Sequence, residues 1–113
     1  MSLLQTIQEL SKAGAADVVK WRRHLHANPE LSYEEFNTAK FISKTLREAG
    51  LKPTEGIAGT GIVVLIEGKN ASKKTIALRA DMDALPILEA NKTDYTSTKP
   101  GVMHACGLDV QMQ

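Results

Sequence analysis

The sequence predicts an α/β fold in which two N-terminal helices precede an antiparallel pair of strands. Apolar residues recur at helical spacing through residues 3–49, whereas residues 62–66 form a continuous, mostly β-branched run. The length of 113 residues leaves room for one domain. Because a two-stranded ribbon is marginal by itself, we expect these elements to be an incomplete part of a larger mixed sheet.

The first helix is predicted to run from Leu3 to Asn28. Its apolar positions lie on one face at spacings of three and four residues, which is typical of an amphipathic helix. They are Leu3, Ile7, Leu10, Val18, Trp21 and Leu25. Gly14 falls on the same stripe, so one long helix and two helices hinged at Gly14 are both consistent with the pattern. Pro29 ends the helix, because the residue before a proline is disfavoured in the α region.

A second helix is predicted from an apparent capping box. Ser32 lies three residues before Glu35, and Leu31 and Phe36 are spaced for a hydrophobic staple. Gly50 provides the stop signal, since glycine readily adopts the left-handed conformation that follows many helices. We therefore expect a helix that begins near Ser32 and ends just before Gly50.

Two strands are predicted in the next part of the chain. The run from Ile62 to Ile66 is typical of a strand covered on both faces, and residues 75–80 form a second apolar segment. Only a short polar turn separates them. Because this connection cannot hold a crossover helix, we expect the two strands to pair antiparallel. A long polar loop follows Pro86.

Composition narrows the classes of partner and compartment. Fourteen Lys and Arg against thirteen Asp and Glu give a formal charge of +1, which is too balanced for a nucleic-acid or anionic-membrane surface. The longest apolar run is far too short to span a bilayer. Cys106 is the single cysteine and cannot form an internal disulfide. These features favour a cytoplasmic protein with neither nucleic acid nor a membrane as its partner.

An acidic pair follows the second predicted strand. In an extended segment Asp81 and Asp83 point to the same side, where their carboxylates could bind a cation or orient a histidine ligand. The same pattern is also typical of a strand end that merely caps the following turn. The residues by themselves leave both interpretations open.

The histidines and the cysteine are the other candidates for chemistry. His104 and Cys106, with Asp109 close behind, have the residue types of half a zinc site. The alternative is a small buried thiol beside an exposed histidine. A nucleophilic Cys–His pair is disfavoured, since no third group orients it. His24 and His26 either reach a substrate or form a solvated helix end whose positive charge suits the helix dipole.

Three segments together resemble the M20 family of metal-dependent amidohydrolases, in the branch of hippurate hydrolases, N-acyl-amino-acid deacylases and auxin-conjugate hydrolases. They are residues 22–35 (beginning RRHLHANPELS), 77–86 (ALRADMDALP) and 100–107 (PGVMHACG). They occur in the family's order and span nearly the whole chain. The resemblance implies that residues 1–113 are the N-terminal part of a zinc-peptidase-like catalytic domain, without the lid domain used for dimerisation.

The resemblance also implies a chemistry. Family members bind two divalent metals, such as zinc, manganese, nickel or cobalt, and hydrolyse the amide bond of N-acyl amino acids or small peptide-like substrates with a metal-activated water. By resemblance, Cys106 is a metal ligand and Asp83 is a catalytic residue that orients the reacting groups. Asp81, His104 and Asp109 are expected to support the site.

The chain departs from the family pattern at two positions. Family members continue Cys-Gly-His-Asp-x-His, whereas Leu108 and Gln111 stand here in place of the two histidines. Leucine cannot coordinate a metal, and a catalytic zinc needs about three protein ligands. We therefore expect this chain alone to be inactive and its metal binding to be impaired. The alternative is a truncated or degenerate homologue that folds as a small binding domain and can form a homo-oligomer.

Overall fold

The computed structural model describes residues 1–112. Its elements are α1 (Leu3–Ala27), α2 (Phe36–Glu48), β1 (Thr54–Ile57), β2 (Gly61–Val63) and α3 (Leu108–Gln111). The two strands pair antiparallel. The predicted α/β order of two helices followed by an antiparallel strand pair is therefore confirmed. In the part of the chain that the structure describes, no helix combines the length and apolar character needed to cross a bilayer.

Helix α1 is a single continuous helix that passes through Gly14 without a break, so the hinged alternative is wrong. It begins with a capping box that the sequence analysis missed. The Ser2 hydroxyl accepts the Gln5 backbone N–H at 3.2 Å, and the Gln5 side-chain oxygen accepts the Ser2 N–H at 2.8 Å. Its C-terminal end is closed by Asn28, whose side chain donates to the His24 carbonyl at 2.8 Å.

Helix α2 begins later than predicted, and the expected capping box at Ser32 does not form. Glu35 occupies the N-cap position without capping the helix, because its buried carboxylate accepts the Thr60 hydroxyl at 2.8 Å. Glu30 instead accepts the hydrogen bonds that the first turn of α2 donates. Its carboxylate accepts the Thr38 backbone N–H at 2.5 Å and the Thr38 hydroxyl at 2.7 Å. A carboxylate at this position also suits the positive end of the helix dipole.

The environment of Glu30 favours its charged form. Burial raises the pKa of Glu30, but hydrogen bonds from the side chain and backbone of Thr38 and from Asn37 outweigh burial and hold the pKa below its usual 4.5. The backbone carbonyl of Glu30 also accepts the Ala84 N–H at 2.7 Å. Glu30 therefore joins the start of α2 to a segment more than fifty residues further along the chain.

The strand partners differ from those predicted. β2 pairs with the preceding β1, in a register that places Thr54 opposite Val63, whereas residues 75–80 are not part of any strand. The short connection between β1 and β2 favours this local pairing, because closing a short loop costs less conformational entropy. Two residues of that turn, Ala58 and Gly59, have positive φ angles of 52° and 98°. The expected pairing of residues 62–66 with residues 75–80 is therefore wrong.

The expectation that this apolar run is covered on both faces is also wrong. Leu65 and Ile66 are 73% and 70% exposed, and Leu78 in the second segment is 97% exposed. The nearly fully buried apolar residues lie elsewhere, where the C-terminal end of α1 meets the segment after residue 80. They are Leu25, Pro29 and Ala84.

We expect Gly61→Ala to lower the Tm of the chain. A Cβ added at Gly61 would lie 2.5 Å from the Ile57 backbone oxygen, so β1 and β2 would have to separate. The matched control is Gly68→Ala, where the added Cβ meets open space. Thermal unfolding followed by circular dichroism measures both. Equal Tm values for the two variants would contradict the close approach of Gly61 to the Ile57 backbone.

We expect Glu30→Gln to weaken the dependence of stability on pH in the acidic range. Because the folded-state pKa of Glu30 is depressed, its contribution is present above about pH 4.5 and is lost as the pH falls through the folded-state pKa. Urea unfolding at about pH 7 should show a loss of about 1–3 kcal/mol, and the loss should shrink at about pH 3. Glu34→Gln, at an exposed neighbouring position, is the control. A loss of the same size at both pH values would refute the role of the charge.

Candidate functional site

The second and third of the three sequence segments meet at one backbone pair. Leu85 and Met103 exchange N–H···O bonds of 2.9 and 3.0 Å in an antiparallel bridge. In this geometry the residues that precede Leu85 run beside the residues that follow Met103. Asp83 and His104 are accordingly close enough for the carboxylate to act electrostatically on the imidazole.

The first segment is joined to this meeting point by two further contacts. Leu31 forms a parallel bridge with Ala84, and the Thr98 backbone N–H donates to the Ala27 carbonyl at 2.9 Å. All three segments that carry the family resemblance therefore lie side by side. This convergence is the structural basis for regarding the region as the candidate site.

A cluster of charged side chains, three of them buried, joins α3 and the long loop to α1. His26 Nδ1 lies 2.8 Å from Asp109 Oδ2, and His26 Nε2 lies 2.7 Å from Glu89 Oε1. Arg22 Nε lies 3.1 Å from the same Asp109 oxygen. We call these four residues the ion cluster. The side chains of His26, Glu89 and Asp109 are at most 5% exposed.

The ion cluster is balanced in charge when His26 carries both ring protons. Ionised carboxylates only accept hydrogen bonds, so a ring with a carboxylate on each side satisfies both by donating from both nitrogens. Glu89 is suited to accept such a hydrogen bond, because its pKa is held below 4.5. Burial raises this pKa, but hydrogen bonds from His26 and from the Ser97 backbone N–H lower it by more. Two cations then face two anions, which offsets much of the cost of removing them from water.

An aromatic ring packs against the ion cluster. The Tyr95 ring lies edge-on to His26 at 5.7 Å, and the guanidinium groups of Arg22 and Arg23 lie 5.2 and 4.9 Å from its centroid. Cations over an aromatic face are attracted by the ring quadrupole. Tyr95 thereby connects the long loop to α1 on the same side as the ion cluster.

The histidines occupy different environments from those inferred. His104 is buried and Cys106 is exposed, the reverse of the alternative that paired a buried thiol with an exposed histidine. His26 is buried, so the interpretation of a solvated helix end is wrong for it. His24 is exposed and stacks on Phe41, with ring centroids 4.1 Å apart.

His104 is an unsatisfied polar group inside the candidate site. Neither ring nitrogen has a hydrogen-bond partner, although the side chain is buried. Burial lowers the pKa of His104, against the opposing influence of the Asp109 and Asp83 carboxylates. A buried donor or acceptor without a partner is costly, and such groups in native structures often mark functional positions.

The described residues do not fit a complete metal centre. In residues 1–112 no group of three or more His, Cys, Asp or Glu side chains converges so that it could hold an ion. Asp81 is paired with Arg79 at 2.8 Å, Asp83 is half-buried, and Cys106 is exposed. Leu108 begins α3 with an apolar side chain where the family pattern has a ligand. The roles inferred for Cys106 and Asp83 stay predictions.

Sequence reasoning did not identify the ion cluster. Arg22 and His26 fall within the first resembling segment, but their spacing of four residues indicates only a shared helix face. Glu89 lies in the long loop after Pro86, where nothing in the sequence marks it as a partner of a histidine. The position of Asp109 directly after the third segment is the one feature of the sequence that points to the cluster. It does not identify the partners of Asp109, because they lie more than eighty residues earlier in the chain.

Comparison with known proteins gives consistent matches. The family model described as peptidase family M20/M25/M40 matches residues 77–113. An N-acyl-L-amino acid amidohydrolase of Geobacillus stearothermophilus is 44% identical over 105 residues, which cover 93% of this chain and 28% of that protein. A hippurate hydrolase of Campylobacter jejuni is 43% identical over 109 residues, which cover 96% of this chain and 27% of the relative. The chain thus spans little more than a quarter of the length of these relatives.

Solved structures share the fold. A Bacillus subtilis protein, YxeP, described as a dinuclear metal binding peptidase from the M20 family, superposes with a TM-score of 0.81 at 39% identity, over 87% of this chain and 27% of that chain. A putative aminohydrolase from methicillin-resistant Staphylococcus aureus superposes with a TM-score of 0.86 at 39% identity, over 96% of this chain and 28% of that chain.

We expect Asp109→Asn to destabilise the chain by about 3–5 kcal/mol, because the buried Asp109 carboxylate faces both the His26 ring and the partly exposed Arg22 guanidinium, and an uncharged amide cannot replace it. The matched control is Asp94→Asn. Asp94 is also paired with an arginine, but the ion pair is 4.0 Å long and the carboxylate is 81% exposed. Exposed pairs contribute about 0–1 kcal/mol. Urea unfolding of both variants checks the prediction, and similar losses would refute the importance of the ion cluster.

Proposed function

We propose that this chain, which resembles peptidase family M20 in both sequence and fold, forms part of a metal-dependent amidohydrolase that releases the amino acid from an N-acyl amino acid. The observation that carries the proposal is the convergence of the three resembling segments at the Leu85–Met103 pair. The printed functions of the relatives, an N-acyl-L-amino acid amidohydrolase and a hippurate hydrolase, support the substrate class.

Within that function we assign roles to individual residues. Cys106 is proposed as a metal ligand, because a thiolate is a good ligand for zinc and its exposed sulfur is accessible. Asp83 is proposed as the catalytic carboxylate, supported by its position beside the buried His104. Asp81, His104 and Asp109 are proposed to support the site. A divalent metal such as zinc, manganese, nickel or cobalt would supply Lewis-acid activation of the amide and of water.

We further propose that the 113-residue chain does not catalyse the reaction alone. No three potential ligands converge in residues 1–112, and the side chains of Leu108 and Gln111 are not those of the family pattern. These two residues also favour the second candidate function, a non-catalytic homologue with a binding role. A cytoplasmic location stays a prediction from composition.

A metal titration tests the role of Cys106. We expect Leu108→His to bind zinc at least about tenfold more tightly than the original chain, because it places an imidazole two residues from the thiol. Leu88→His, at a 73% exposed leucine elsewhere, is the matched control and should leave zinc affinity unchanged. Adding Cys106→Ser to the Leu108→His chain should abolish the gain. Equal affinities for the Leu108→His and Leu88→His variants would argue against a metal site here.

An activity assay tests the proposed inactivity. The chain, purified in the presence of zinc or manganese, should carry less than one ion per molecule by elemental analysis. It should also release no glycine from hippurate. Two tightly bound ions per chain together with metal-dependent release of the amino acid would overturn the proposal that these residues do not catalyse by themselves.

A further inference from the structure

A cavity of about 180 Å³ lies where the C-terminal end of α1, the first turn of α2 and the long loop meet. Sites for drug-sized ligands typically have volumes of about 300–1,000 Å³, so this cavity suits a molecule with only a few heavy atoms. None of the described residues that line it belongs to the ion cluster, and neither Asp83 nor Cys106 is among them. Its lining includes Leu25 and five polar or charged residues: His24, Asn28, Glu30, Asn37 and Lys99.

The Glu30 carboxylate gives part of the cavity wall a negative charge. It is buried, and its pKa lies below 4.5, so it is ionised at neutral pH. The Asn28 side chain donates to a backbone carbonyl of α1 at 2.8 Å, and the Asn37 side chain donates to Glu30 at 3.1 Å. In residues 1–112 no donor reaches the side-chain oxygen of either asparagine. Two neutral acceptors beside a buried carboxylate suit an ammonium group.

Lys99 and His24 supply hydrogen-bond donors to the same cavity. The Lys99 ammonium lies 4.0 Å from Glu30 Oε2, which is too far for a hydrogen bond, and the lysine side chain is 48% exposed. The Thr98 hydroxyl donates to the Ala27 carbonyl at 2.8 Å and thereby holds this part of the long loop against α1. The ring nitrogens of His24 have no hydrogen-bond partner in residues 1–112. An ammonium and an imidazole N–H suit a carboxylate.

We propose that this cavity binds a small free α-amino acid. The carboxylate of the amino acid contacts Lys99 and His24, and its ammonium contacts the two asparagine oxygens near Glu30. A zwitterion keeps the cavity balanced in charge, whereas a simple anion is repelled by Glu30 and a simple cation by Lys99. The inference goes beyond the proposed function, because the cavity contains neither the proposed metal ligand nor the proposed catalytic carboxylate.

The lining also limits the side chain of the amino acid. Leu25, which is 2% exposed, is the one apolar residue among the described residues that line the cavity. It offers apolar contact for little more than a methyl group. We therefore expect glycine and alanine to bind. Tryptophan should not bind, because its indole ring needs far more apolar surface than one leucine provides.

An NMR titration tests the charge pattern. The isotope-labelled chain is kept in a chelator, so that no metal takes part, and is titrated with glycine, acetate or methylammonium at constant ionic strength. We expect glycine to give saturable shifts of the Asn28 and Asn37 side-chain amide signals. Acetate and methylammonium, which each carry one of the two charges, should bind at least about tenfold more weakly. Equal binding of either probe or of tryptophan, or no saturable shift with glycine, would overturn the proposal.

Lys99→Met tests whether the amino acid binds in this cavity. Methionine keeps an unbranched side chain but removes the ammonium, so the glycine dissociation constant should rise at least about tenfold. Lys92→Met, at an exposed lysine in the same loop, is the matched control and should leave the constant unchanged. Circular dichroism checks that both variants are folded. Equal glycine affinities for the two variants would refute the location.

Cys106→Ser separates this cavity from the proposed metal centre. We expect the variant to bind glycine as tightly as the original chain, because Cys106 does not line the cavity. Loss of glycine binding in this variant would mean that the amino acid binds beside the thiol, and the proposal would be wrong. Since no hydrolysis is measured, this result is independent of the hippurate assay, and the two proposals can fail separately.

Discussion

His26 lies between two buried carboxylates, and the placement of α3, directly after the third resembling segment, depends on this contact. Its ring nitrogens lie 2.8 Å from Asp109 and 2.7 Å from Glu89. Few apolar side chains are buried in residues 1–112, so hydrophobic packing alone provides little specific restraint on residues 108–112. The ion cluster supplies that restraint, because each buried charge is stable only where its partners are. It thereby ties α3 and the long loop to α1.

The ion cluster also contributes to the arrangement of the candidate site. The Leu85–Met103 backbone pair and the ion cluster together hold the His104–Cys106 stretch beside Asp83. The result is a buried His104 without hydrogen-bond partners next to an exposed thiol. These residues provide an incomplete donor set. That is consistent with a chain that spans little more than a quarter of the length of its relatives.

Local signals in the sequence predicted some elements well. The 3.6-residue apolar period and Pro29 located α1 to within a residue, and Gly50 located the end of α2. The same logic failed at the start of α2. Ser32 and Glu35 have the spacing of a capping box, but Glu35 is engaged by Thr60, twenty-five residues later, and Glu30 caps the helix in its place. Distant partners of this kind leave no trace in local spacing.

The sequence by itself determined the α/β order of elements, the two helices and the resemblance to a metal-dependent hydrolase family, because periodicity, stop residues and short motifs are properties of neighbouring residues. Only the tertiary structure decided which strands pair, which histidine is buried and which charges meet. His26 and Asp109 are 83 residues apart in the sequence but in contact in the structure, and β2 pairs with β1 rather than with residues 75–80. Such choices depend on competing contacts and loop closures across the whole chain, which no local pattern encodes.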